Sequence, residues 1–228
     1  MKKTLSLFLI LVVVVTVFGC TSKAEVESPY DDSVANADAF IEIPTLRQYG
    51  GYTCGTTCVQ MLMNWLFPYD GDLNLVTYEE ELGTTEKDGT PPENIIDYFN
   101  ENGVTIETNE HMTVLDLVDS LDLHHPIMIC IQAWSSADDG SYNTSDSFNS
   151  ETYLVEGHWV ICVGYKKLKD GYRFFFNDPA CVGHCFMDDD ELDDRWIDMD
   201  SSSNIYDHYG IKIVGMTNYD SKGAFHLD

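Results

Sequence analysis

The residues able to do covalent chemistry are few. Cys54 follows the glycine turn Gly50-Gly51 and precedes a mostly apolar run from Cys58 to Phe67, which Pro68 stops. That pattern predicts a loop delivering a cysteine to the first turn of a buried helix. Unpaired backbone N–H groups and the positive end of the helix dipole favour a thiolate there over a thiol. Cys54 is therefore the candidate nucleophile; the bland alternative is an inert buried cysteine or half of a disulfide. Cys58, one turn further on, reads as a small core residue. Gln48 lies six positions before Cys54, close enough to bring an amide beside the sulfur. His158 opens the strand-like run Gly157–Tyr165, and Asn177-Asp178-Pro179 closes the strand that follows.

Taken in this order, Gln, a short loop, Cys-Gly at a helix start, Gly-His before an apolar run and Gly-Tyr, then Asp-Pro, the set resembles the papain-like cysteine peptidases. Within them it is most similar to the C39 peptidase-like branch, and the resemblance spans roughly residues 40 to 216. It implies an α+β papain-like fold, with a helical lobe carrying Cys54 packed against an antiparallel sheet lobe carrying His158 and Asp178. It also implies roles. Cys54 attacks a carbonyl carbon, and His158 takes and returns the proton. Asp178 orients the ring, and Gln48 with the Cys54 backbone N–H stabilises the oxyanion. Asn177 is the neighbouring alternative for the orienting group. Residues 177 and 178 face opposite ways in a strand, so only one reaches His158; the Asp-Pro pattern favours Asp178.

The expected activity is that of a cysteine peptidase or amidase hydrolysing peptide or amide bonds, with a peptide or protein substrate and no metal or cofactor. Two alternatives remain: a transpeptidase-like thiol acyltransferase on the same scaffold, and a catalytically inactive papain-like binding domain. Transport-linked C39 enzymes cut double-glycine leaders, but no transporter segment or nucleotide-binding loop is seen, so that specificity is not expected.

The elements that position these residues begin after a leader. Lys2-Lys3, an apolar run from Leu5 to Phe18 and Gly19-Cys20 read as an export signal over residues 1–20. Its Val17-Phe18-Gly19-Cys20 end resembles a bacterial lipoprotein box, implying a lipid anchor at Cys20 and a cell-envelope address. Phe18 is bulky for such a box, so ordinary cleavage or a retained anchor stays open. Residues 21–38 read as a flexible tether, and 39–228 as one catalytic domain. The formal charge of −27 becomes −29 once a leader holding Lys2 and Lys3 but no acid is removed. Such a surface excludes nucleic acid as a partner and disfavours strongly anionic substrates.

Seven cysteines do not make a fully paired disulfide scaffold once Cys20 and Cys54 are set aside. Cys130 and Cys162 lie in apolar runs and read as core residues. Cys181 and Cys185 stay open between a disulfide, a metal site and neither. An extended segment is expected over Phe40–Leu46, and helices over Thr77–Leu82, after Pro91-Pro92, and over Thr113–Leu121. The last packs through Val114, Leu115, Leu117 and Val118, with Asn109 or Thr113 as its cap. Strands are expected over Val104–Thr108, Ile127–Trp134 (apolar on both faces, hence central), His158–Tyr165, Tyr172–Phe176 and Ile211–Met216. Residues 135–151 read as a surface loop near the cleft, either a lid or disordered. The acidic run Asp188–Asp194 reads as the solvated face of a short helix, with a calcium site as the sharper alternative.

Overall fold

The apolar run after the glycine turn forms a helix, Cys54–Leu66 (α1), in which Cys54 to Met63 are all buried. The computed structural model describes residues 33–68, 75–134, 141–145, 156–181 and 183–216. The leader, the Cys20 site and most of the tether lie outside the described residues, as does most of the 135–151 loop.

In chain order the described elements are β1 (Ala39–Phe40), α1, α2 (Leu75–Glu81), α3 (Pro92–Glu101), β2 (Val104–Asn109), α4 (Val114–Asp122), β3 (Ile127–Gln132), β4 (Gly157–Lys167), β5 (Tyr172–Asn177), β6 (His184–Asp188), α5 (Asp189–Arg195), β7 (Ile197–Met199), β8 (Ile205–Asp207) and β9 (Gly210–Met216). Among the described residues seven strands form one antiparallel sheet in the order β2-β9-β3-β4-β5-β6, with β1 paired on β4; β7 and β8 form a separate ribbon. The fold is α+β.

Every residue of β3 is buried, as its unbroken apolar run requires of an interior strand. Helix α1 packs on β4, α3 against β2, and α4 against β4 and β1. Pro91 and Pro92 start α3, where a missing N–H costs nothing. Thr113 caps α4 in a reciprocal capping box with Asp116.

Two expectations need correction. Leu115 is 55% exposed: Val114, Leu117, Val118 and Leu121 form one helical stripe, and Leu115 falls outside it. Of the extended Phe40–Leu46 segment only Phe40 lies in a strand, β1, although the Ile41 N–H still donates to Val163 O at 2.7 Å. Strand β4 carries a register shift against β5 between Cys162 and Gly164. Gly164 has its own reason there. A Cβ at that position would stand 2.6 Å from Ala39 O and 2.8 Å from the Phe40 ring, so β1 could not lie on β4.

Candidate active site

Cys54 occupies the first turn of α1. Its N-cap, Thr53, makes no side-chain cap; the hydroxyl turns back to Gly50 O at 3.2 Å. The first backbone bond of the helix runs from Thr57 N to Thr53 O. That leaves the N–H groups of the opening turn free to face a negative charge. Gly55 is required by packing, because a Cβ there would meet Thr90 at 2.7 Å and the Trp159 ring at 2.9 Å. The Trp159 indole N–H donates to Thr90 O at 3.1 Å, locking β4 to the loop that precedes α3.

His158 enters from the start of β4, 2% exposed, and its ring lies against the Cys54 thiol. Its Nε2 is 2.7 Å from Asp178 Oδ1, which leaves Nδ1 as the nitrogen facing sulfur. Burial alone pushes the Cys54 thiol up. The His158 hydrogen bond and charge, with N–H groups of Trp159 and Gly55, more than offset it and bring the thiol below its ordinary value. Burial likewise lowers His158, but Asp178 and Cys54 raise it to about 9. Asp178 is raised by burial yet ends low, held by His158, the Ala180 N–H and the Cys185 thiol.

Asn177 points elsewhere. Its Nδ2 donates to Ile43 O at 3.0 Å, and its Oδ1 meets His184 Nδ1 at 2.7 Å. Gln48 is tied into the same corner by its backbone, whose N–H donates to Pro179 O at 2.8 Å. Its side-chain Nε2 donates to Gly50 O at 2.8 Å, the carbonyl that Thr53 also uses, while Oε1 is buried without a partner. Exchanging the amide oxygen and nitrogen would set two acceptors face to face at Gly50 O. The nitrogen therefore stays on that side, with one hydrogen left over.

A cleft of about 900 Å³ reaches Cys54. Gly50–Tyr52 and Trp159 form part of its wall, as do loops 86–93 and 198–202. Two of the residues around this site carry no sequence signal. Trp134, 45% exposed, lies over the His158 ring with centroids 5.3 Å apart. Asp198 stands against Gly157, whose Cβ would come within 2.4 Å of its carboxylate. Burial pushes Asp198 up to about 7, even though the Met199 N–H and the Gln132 amide hold its Oδ1. It lies beyond the acidic run Asp188–Asp194, between Ile197 and Met199, where no spacing singles it out.

Cys130, Cys162 and Cys58 are buried core residues. Asp178, Cys181 and Cys185 bring ligand-type atoms within 4.8 Å of one another, although Asp178 is already engaged with His158. His111 and His208 pair with Asp207 on the surface.

The model of the Peptidase_C39 like family matches residues 40–204. The chain belongs to that family, a peptidase-like group within the papain-like superfamily whose membership is consistent with thiol-based hydrolysis. Among solved structures, a putative C39-like peptidase from Bacillus anthracis shares the fold at TM-score 0.53 and 11% identity, over 77% of this chain and 96% of that one. A double glycine motif protease from an AMS/PCAT transporter, solved with its leader peptide, gives 0.45 and 14%, over 77% and 95%. The peptidase domain of Streptococcus ComA, a bifunctional ABC transporter, gives 0.45 and 14%, over 75% and 98%. No curated protein sequence matches the chain.

Proposed function

We propose that the chain is a cysteine peptidase or amidase in which Cys54 is the nucleophile, His158 the proton carrier and Asp178 its orienting carboxylate. The observation that carries the reading is the line from the half-buried Asp178 through the buried His158 to Cys54, at the edge of a cleft. The imidazolium that Asp178 supports keeps the sulfur as thiolate. Attack on a peptide carbonyl forms a tetrahedral oxyanion, which the Cys54 N–H and the spare Gln48 hydrogen stabilise. His158 then protonates the leaving amine, and water attacks the thioester by the reverse route. Trp134 limits water at the outer face of the His158 ring.

Glu86, Asp88, Glu93, Asp198 and Asp200 line the cleft, and Lys87 is the cation among them. Peptides with cationic side chains should therefore bind better than acidic ones. Transfer to added amines would instead mark an acyltransferase.

The enzyme acts outside the cytoplasm, on a lipid at Cys20 with residues 21–38 as tether. Intact mass of the native protein tests this: a diacylglycerol-bearing Cys20 as first residue supports it, and an unmodified Cys20 with a cut elsewhere defeats it. For the activity, an iodoacetamide-type label on Cys54 that abolishes turnover of a peptide library is the expected result. Undiminished turnover by the Cys54→Ala protein would end the proposal.

A further inference from the structure

The turn that presents Asp178 carries a pair of thiols that the proposed chemistry does not use. Cys181 lies in the turn, and Cys185 is on β6, opposite Phe176. Their sulfurs stand 2.8 Å apart. Closing that gap by less than about 1 Å reaches the separation of about 2.03–2.05 Å in a disulfide. Both are partly exposed, whereas Cys58, Cys130 and Cys162 are buried, each at most 2% exposed.

Each thiol also touches Asp178. The Cys181 N–H donates to Asp178 O at 3.2 Å, and its Sγ lies 3.7 Å from that carbonyl. Cys185 Sγ lies 3.7 Å from Asp178 Oδ2. The His158 bond uses the other oxygen, Oδ1, which the Ala180 N–H also supports at 2.7 Å.

We infer that Cys181 and Cys185 form an intrachain disulfide under oxidising conditions, and that it pins the turn holding Asp178 to His158. The disulfide stands on the thiol geometry alone; only its meaning for the base rests on the proposed function. The oxidant is a small disulfide such as oxidised glutathione. One protein thiolate attacks it and expels a glutathione thiolate. The second protein thiolate then attacks the mixed disulfide, forms the Cys181–Cys185 bond and expels a second. Two thiol protons leave, and the two electrons end on glutathione. Burial with the neighbouring Cys181 and Asp178 pushes the Cys185 thiol up. The Cys185 S–H contact to Oδ2 is lost on oxidation, while the Oδ1 bond to His158 keeps both its partners.

The test uses the full chain with Cys54→Ser, which removes the most reactive thiol and needs no activity readout. Treatment with oxidised glutathione should give a chain about 2 Da lighter, and alkylation with peptide mapping should then find Cys181 and Cys185 joined and Cys58, Cys130 and Cys162 still as thiols. Its melting temperature should rise by about 3 °C or more over the reduced chain, and the Cys181→Ser/Cys185→Ser chain should show neither change. Two alkylated thiols at 181 and 185 after oxidation would overturn the pairing. One zinc retained per reduced chain after desalting, and lost in the double variant, would reassign the cluster as a metal site. An unchanged or lower melting temperature in the oxidised chain would overturn the pinning. A peptidase assay that fails would leave the pairing result standing.

Discussion

Cys54 and Cys58 sit one turn apart on the same helix, both buried, yet their thiols are pushed in opposite directions. Burial raises both. At Cys58 the charges of Cys54 and Asp178 add to it, and the thiol proton is used in a 3.4 Å bond to Trp159 O. At Cys54 the partners are the reverse: the His158 ring and the N–H groups of Trp159 and Gly55. One residue of β4 thus offers its carbonyl to one sulfur and its N–H to the other. Burial acts the same way on both sulfurs; the donors and charges around each decide which way its thiol moves.

His158→Ala should break the comparison most completely. It removes both the proposed proton carrier and the charge opposing burial at Cys54, and kcat/KM should fall by roughly 10⁵. A loss below tenfold would mean that Cys54 does not depend on this ring.

Asp178→Ala should cost about 10³ in turnover, because His158 loses its orienting acceptor and the support for its charge. Asn177→Ala removes a buried bond to Ile43 O instead, and should lower the melting temperature more than the rate. Equal rate losses from the two would reverse their roles.

Gln48→Ala should slow acylation by about two orders of magnitude, near 3 kcal/mol, while thiol titration still finds a thiolate. An unchanged acylation rate removes Gln48 from the site. The smallest effect belongs to Cys58→Ala: a stability loss of about 1–2 kcal/mol, with kcat/KM held within about twofold. A rate loss comparable to that of Cys54→Ala would erase the distinction between the two thiols.

Much of this is legible in the sequence because local chemistry specifies it. Gly50-Gly51, the apolar run and Pro68 set the ends of α1, and Pro91-Pro92 set the start of α3. The unbroken apolar Ile127–Gln132 announced an interior strand. Sheet order was not legible. Strand β9 comes last in sequence yet lies between β2 and β3, a pairing that no local pattern encodes. Strands β6, β7 and β8 have three to five residues each, too short for a period to show. Trp134 and Asp198 were missed for a related reason. What distinguishes them is a long-range neighbour: the His158 ring for one, Gly157 for the other.

The central claim is that His158 makes Cys54 a thiolate against the pull of burial. The rate of Cys54 alkylation by iodoacetamide, followed across pH in the wild-type and His158→Ala proteins, tests it most directly. The account predicts a wild-type midpoint below the ordinary thiol value of 9.0. In the variant, where burial acts without the imidazolium, the midpoint should move above it. The wild-type rate should also change again near 9, as His158 gives up its proton and the ion pair is lost. One shared midpoint near 9.0 in both proteins would contradict the account.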